Sequence, residues 1–154
     1  MSEVSDQHEA ISYIKHHPVA VLGTVDRYGH PYGAAVFVYA SSIEMFYVIT
    51  KTQTQKFKNI LHNPHVSLTI ADGPDNSSLQ IGGTAHVIKD ATTIQMVMGK
   101  MTKIYAANVD WLPPITKIRA GAYQVVGIKP DHIRLSEYRG QKPGSTHIFT
   151  EVEV

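Results

Sequence analysis

The chain has 154 residues, of which 43% are hydrophobic and 18% charged, which is enough for one domain with its own core. Its formal net charge of +1 excludes a bulk attraction to nucleic acid or to an acidic membrane, and the absence of cysteine excludes disulfides, thiolate chemistry and cysteine-rich zinc sites. Neither a signal-peptide core nor an apolar run of about 18–20 residues is present, so we expect a cytoplasmic protein with no membrane or nucleic-acid partner.

The first predicted elements are a helix and three strands. The helix covers residues 5–16, is capped by Ser5 or Asp6, and is stopped by Pro18. Strands follow at 19–26 and 32–39, joined by a hairpin turn that contains Gly29, and a third strand of high β-propensity covers 44–49.

The segment Thr-Lys-Thr-Gln-Thr-Gln-Lys at 50–56 joins the third strand directly to a second helix. Thr52 followed by Gln55 fits a capping box, and Phe57, Ile60 and Leu61 supply an apolar stripe that ends before Pro64. The first turn of a helix has backbone N–H groups without partners and a partial positive charge, which together favour an anion. The segment therefore predicts a phosphate pocket.

The second half of the chain predicts more strands and one longer helix. Strands at 65–70 and 79–88 flank a loop at 71–77, and Asp90 caps a helix to about Tyr105 whose apolar stripe we assign to core packing. Residues 108–114 form a loop because of their two prolines, and strands at 121–128 and 132–138 pair through a turn at 129–131. About six short strands without βαβ alternation predict one antiparallel barrel domain over 1–154, with a tail at 139–154 that is mobile or used in a contact.

The remaining polar residues do not form a readable catalytic or metal site. The nine histidines are scattered without the same-face spacing of a helical metal site, and no nucleophile stands beside a base, so no catalytic residue and no metal are predicted. His86, on a strand, is the one histidine worth testing.

Several short pieces, in this order and spacing, carry a family resemblance. They are residues 19–25 followed by Gly29-His30-Pro31, residues 46–50, Thr54-x-Lys56-x-x-Asn59-Ile60 followed by residues 63–68, and Gly83-x-Ala85-x-Val87. The chain resembles the FMN-binding split-barrel family typified by pyridoxamine 5′-phosphate oxidase over about residues 18–138.

The resemblance implies a mainly β fold, a six-stranded antiparallel split barrel of Greek-key type with flanking α-helices. It also implies a homodimer with two flavins in clefts at the interface. By position in the family motif, the FMN phosphate falls on Ile49, Thr50, Lys51, Thr54, Gln55 and Lys56, with Lys56 at the place of the phosphate lysine. The flavin ring falls over Ala34, Ala35 and Val36, where small residues allow a close approach.

Departures from the family pattern leave the substrate undefined. The oxidase proper has an arginine in its second strand and an Arg-x-His signature near its C-terminus, and residues 32–37 and 133–139 reproduce neither. The leading hypothesis is an FMN-dependent oxidoreductase acting with a small-molecule substrate or electron donor. The alternatives are a non-catalytic flavin-binding or stress-related module, and the same barrel holding a deazaflavin or haem. Trp111 is either a packing anchor for its loop or a contact to the flavin cleft of the partner subunit.

Overall fold

The structure is a computed structural model that describes residues 3–73, 76–111, 119–145 and 148–154. Within these residues it has three α-helices and seven β-strands. The helices are α1 (Glu3–His16), α2 (Gln55–His62) and α3 (Ala91–Ala107), with a short 3-10 turn at Val109–Trp111. The strands are β1 (Val19–Val25), β2 (Pro31–Phe37), β3 (Phe46–Lys51), β4 (His65–Asp72), β5 (Ser77–Val87), β6 (Tyr123–Glu137) and β7 (Phe149–Val152).

All seven strands belong to one antiparallel sheet. Its order is β2-β1-β4-β5-β6-β3, and β7 pairs with the far half of β6. The end strands meet at a single bridge, where Tyr39 and Tyr47 exchange backbone hydrogen bonds of 3.0 and 2.8 Å. The antiparallel class is therefore confirmed, but the sheet has seven strands instead of six and is not closed by a continuous ladder.

The C-terminal part corrects one prediction and adds a strand. The expected strand pair at 121–128 and 132–138 is wrong, because β6 runs straight through the supposed turn. Its partner β5 shifts register between Gly82 and Gly83, so that Asp131 becomes the extra residue of a β-bulge and Pro130 is accommodated beside it. Within the predicted tail, residues 149–152 form β7.

The core lies on both faces of the sheet. On the inner face, Leu22, Val36 and Val48 belong to one buried cluster with α1 and α2, whereas on the outer face Phe37 and Ile49 pack against α3. Successive side chains of a strand point to opposite faces of the sheet. The buried positions therefore show on which face each of the other side chains in the same strand lies. The α3 stripe is core packing, as predicted.

Helix boundaries agree with the sequence within a few residues, with one exception in the apolar pattern. Phe57 and Ile60 of α2 are buried, but Leu61, predicted to share their stripe, is 64% exposed. The predicted loop at 108–114 lies partly outside the described residues, as does the centre of the loop at 71–77.

Candidate functional site

The junction of β3 and α2 is capped two residues later than predicted. Thr54 is the N-cap, and its Oγ1 accepts a hydrogen bond of 3.3 Å from the Phe57 N–H. The Thr52 N–H instead donates to the Ala122 carbonyl at 3.0 Å, and the Thr52 hydroxyl accepts from the Ala122 N–H at 3.2 Å. The capping box at Thr52 was therefore wrong, because the segment before β6 engages this residue.

Two threonine hydroxyls are used inside the junction. Thr54 Oγ1 donates to the Lys51 carbonyl at 2.8 Å, which leaves Thr50 as the donor in the 2.8 Å contact between the two hydroxyls. Thr50 is fully buried and Thr54 nearly so. Both hydroxyl protons thus hold the strand end against the helix start.

The first turn of α2 concentrates positive charge. The first i to i−4 bond of the helix runs from the Lys58 N–H to the Thr54 carbonyl at 3.2 Å, so the amides of Gln55 and Lys56 precede the regular helical pattern. The first turn holds no acidic residue, and the half-buried Lys56 adds an ammonium at the positive end of the helix dipole. Burial lowers the pKa of Lys56. An anion here would offset both the dipole and the desolvated charge.

Two side-chain amides fix this helix end to the sheet. Gln55 Nε2 donates to Asn59 Oδ1 at 2.7 Å, and Asn59 Nδ2 donates to Thr24 Oγ1 of β1 at 3.0 Å. Asn59 is only 2% exposed. Sequence reasoning did not place Asn59 at the site, although its spacing of four residues from Gln55 is the signal that could have found it.

Lys51 lies on the other face of the sheet from Thr50. Its ammonium is 4.6 Å from the centre of the Tyr123 ring, and the side chain is buried. Tyr105 of α3 is close by, where burial raises its pKa to about 12 and the neighbouring Tyr123 adds to the shift. Ile49 also faces α3. The predicted phosphate residues thus separate into an inner group (Thr50, Thr54, Gln55 and Lys56) and an outer pair (Ile49 and Lys51).

The predicted ring platform on β2 is also divided between the two faces. Ala34 pairs with Leu22 of β1, whose side chain belongs to the inner core, and is itself half-buried. Val36 is committed to the inner core, and Ala35 is exposed on the outer face. Among these three residues, Ala34 is the small side chain that shares a face with Thr50 without filling the core. The side chain of Trp111 lies outside what the structure describes.

A polar cleft of about 520 Å³ lies beside the site, between the β1–β2 turn and the exposed face of α2. Arg27, Lys58 and Gln55 are among its walls. The Asp26 carboxylate accepts from the N–H groups of Tyr28 and His30 at 2.8 and 2.9 Å. Partial burial raises the pKa of Asp26, but these hydrogen bonds outweigh it and hold the pKa below its ordinary value. Neither Arg27 nor Lys58 was predicted at this position.

Comparison of the sequence with known protein families shows the family to which the chain belongs. The profile described as pyridoxamine 5′-phosphate oxidase matches residues 6–137, which include the whole junction and β2. The chain belongs to the pyridoxamine 5′-phosphate oxidase family. The comparison with curated proteins found no match.

Solved structures share the fold of this oxidase-family chain at low sequence identity. A protein related to general stress protein 26 from Clostridium acetobutylicum is 15% identical with a TM-score of 0.68, covering 99% of this chain and 97% of its own. An FMN-binding protein from Nostoc punctiforme is 14% identical with a TM-score of 0.57, covering 90% and 84%. HutZ, a haem storage protein from Vibrio cholerae, is 16% identical with a TM-score of 0.62, covering 80% and 89%.

The outer face of β1, β2 and β4 leaves apolar side chains uncovered. Val21, in the middle of β1, is 49% exposed and lies opposite Ala35 of β2 and Thr69 of β4. A groove of about 870 Å³ follows this face. Such a continuous apolar sheet surface is typical of a protein interface.

The described parts of this family member show neither a metal cluster nor a spanning helix. No group of three or more His, Asp or Glu residues converges there. None of its described helices combines the length and hydropathy needed to cross a bilayer. His86 is exposed on β5, whereas the His132 ring lies against the backbone of Gly82.

Proposed function

We propose that this protein binds FMN, with the flavin phosphate at the first turn of α2. The observation that carries the proposal is the half-buried Lys56 ammonium at the positive end of a helix whose first turn contains no acidic residue. Family membership supports the choice of a flavin phosphate, as does the shared fold of the FMN-binding protein from Nostoc punctiforme.

The donor set of the inner group fits a phosphate. The amides of Gln55 and Lys56 and the Lys56 ammonium supply donors and charge, while Thr50 and Thr54 fix the junction that presents them. We further propose that the flavin ring lies over Ala34, Ala35 and Val36, with Ala34 giving access on the inner face. The roles of Ile49, Lys51 and Trp111 toward the cofactor stay predictions.

The reaction we propose is that of a flavin-dependent oxidoreductase whose substrate is undefined. Bound FMN supplies hydride or electron transfer, and the protein binds the phosphate, orients the ring and controls the access of water. The absence of a second-strand arginine argues against the oxidase's own substrate, pyridoxine phosphate, because Ala34–Val36 offer no charged side chain for it. A stress-related flavin-binding module without turnover is the alternative.

We also propose a homodimer that covers the exposed face of β1, β2 and β4. The half-exposed Val21 and the groove along this face support this interface. This face includes Ala35 of β2, one of the three residues proposed to lie under the flavin ring.

The decisive experiment is a set of cofactor titrations on purified protein. Absorbance spectra are recorded as prepared and after addition of FMN, a deazaflavin and haemin in separate samples. We expect saturable FMN binding with a perturbed flavin spectrum. A Soret band with no flavin binding would favour the haem alternative, which the fold shared with HutZ makes worth testing. Flat titrations with all three would refute the cofactor proposal.

If FMN binds, reduction separates an enzyme from a carrier. The FMN-loaded protein is mixed anaerobically with NADH or NADPH, and reduced protein is then offered a panel of small-molecule acceptors. Faster reduction than free FMN, followed by acceptor-dependent reoxidation, supports an oxidoreductase. Rates equal to those of free FMN throughout would support the non-catalytic module.

A further inference from the structure

A separate cavity lies between α1 and α3, beyond the end of β2. Its volume is about 320 Å³, within the range of about 300–1,000 Å³ that small-molecule sites occupy. Ile14 of α1, Val38 after β2 and Ile104 of α3 provide apolar walls. Ile14 and Val38 are almost completely buried, so these parts of the wall are firmly packed.

Three exposed lysines line the open side of this apolar cavity. Lys100 and Lys103 come from α3, where they share a face with Ile104 and Ala107, and Lys15 comes from α1. The described residues that line the cavity include no aspartate or glutamate. The salt bridges found in the described parts of the chain do not involve these lysines.

The arrangement sets like charges around an apolar space. Lys100 and Lys103 are three residues apart on α3, a spacing at which equal charges repel. Lys15 approaches the same cavity from a different element. A bound anion would offset this repulsion, and an apolar body attached to that anion would fill the cavity and remove its walls from water.

We propose that this cavity binds an amphipathic carboxylate, with its apolar body between α1 and α3 and its carboxylate among Lys15, Lys100 and Lys103. The charge complementarity at the rim selects the anionic head, and the walls of Ile14 and Ile104 select an apolar body. The proposal does not depend on flavin, because Lys56 and the inner group line a different part of the molecule.

The test uses octanoate as the probe. Octan-1-ol is its uncharged counterpart, and inorganic phosphate is an anion that has no apolar chain. Isothermal titration calorimetry and amide chemical-shift mapping are performed on flavin-free and, where FMN binds, FMN-saturated protein. We expect saturable octanoate binding in each form, with shifts concentrated in residues 14–15 and 100–108. Octan-1-ol should bind at least about tenfold more weakly, and phosphate should not saturate the site.

Matched variants locate the site. The double variant Lys100→Gln with Lys103→Gln should weaken octanoate by about tenfold or more, whereas Lys129→Gln, at an exposed position on β6, should change it less than about twofold. Ala107→Trp places an indole in the cavity and should abolish binding. Ala106→Trp is its control, since Ala106 is equally exposed but does not line the cavity.

Several results would overturn the proposal. These are a non-saturating octanoate titration, equal binding of octanoate and octan-1-ol, saturation by phosphate with the same affinity, or unchanged binding in Ala107→Trp. Shifts at residues 100–108 that follow protein dilution without any ligand, and that octanoate does not reverse, would assign the cavity to a second copy of the chain instead. Because octanoate is also titrated into flavin-free protein, the test remains decisive even if the protein does not bind FMN.

Discussion

Replacing Lys56 by methionine separates cofactor binding from folding. The change keeps most of the aliphatic stem and removes the ammonium at the first turn of α2. In the flavin-free protein this ammonium is half-buried at the unfavourable end of the helix dipole, and burial lowers its pKa. Lys56→Met should therefore leave the melting temperature of the flavin-free protein unchanged or slightly higher, while it lowers the affinity for FMN.

The expected loss follows from one charged hydrogen bond. Hydrogen bonds to charged groups contribute about 1.5–3 kcal/mol, and about 1.4 kcal/mol corresponds to a tenfold change in Kd. Because Lys56 is only half-buried, solvent screening places the effect near the lower limit, at about 10- to 30-fold for FMN. The amides of Gln55 and Lys56 remain, so binding should be weakened but not abolished.

The assay compares FMN with riboflavin, which has the same ring but no phosphate. Flavin fluorescence or calorimetry gives both dissociation constants, and riboflavin should change less than about twofold. Lys129→Met is the control, with an exposed side chain on β6 that does not line the cleft beside the site. Lys51→Met tests the other predicted phosphate lysine, and we expect a smaller effect because its ammonium lies against Tyr123 on the outer face.

The pH dependence gives a second readout. The Lys56 pKa lies below the ordinary value of a lysine, so FMN affinity should fall on the alkaline side at a lower pH than an unperturbed lysine would give. In the unfolded chain Lys56 keeps its proton to higher pH, so without flavin its contribution to stability rises with pH between the folded and the unfolded pKa. Lys56→Met should remove both effects. An equal loss of FMN and riboflavin, or a lowered melting temperature without flavin, would refute the reasoning.

Three further predictions test the scaffold and the interface. Asn59→Ala should lower the free energy of unfolding by about 1–3 kcal/mol, because it leaves the buried Thr24 hydroxyl without its hydrogen-bond donor. Urea titrations measure this loss, with the exposed Leu61→Ala as the control. A loss no greater than that of the control would contradict the prediction. Gly83→Ala should lower the free energy of unfolding by about 1–3 kcal/mol, since its Cβ would lie 2.3 Å from the Lys129 carbonyl oxygen. Gly82→Ala should cost less because the three atoms nearest its Cβ belong to the movable His132 ring, and equal costs would refute this account of the bulge. Val21→Glu should convert the proposed dimer into monomers of 17.0 kDa, as measured by light scattering. The melting temperature of the monomer should not fall. An unchanged mass would exclude this face as the interface.

The cap of α2 shows what local patterns leave open. Thr52 and Thr54 both offer a hydroxyl ahead of an apolar stripe, and Gln55 made Thr52 the better capping box on sequence alone. Thr54 is the N-cap because the backbone N–H groups of Thr52 and Gln53 donate to the carbonyls of residues 122 and 120, which are distant in the chain. The start of α2 was still predicted within two residues.

β6 shows the same limit at larger scale. Lys129-Pro130-Asp131 has the local chemistry of a turn, and sequence analysis ended a strand there. The register of β5 admits a bulge at the same point, so pairing on both sides carries the strand onward. Ladder hydrogen bonds across the sheet outweighed the local preference of three residues.

The sequence by itself determined the order of elements as far as α3, the antiparallel class and the strand-to-helix junction that concentrates positive charge, because periodicity, prolines and capping residues act over a few positions. Only the tertiary structure decided that Lys51 packs against Tyr123, that Asn59 bonds α2 to β1, and that lysines from α1 and α3 line one cavity. These facts depend on strand parity and on contacts between distant segments, which no local pattern encodes.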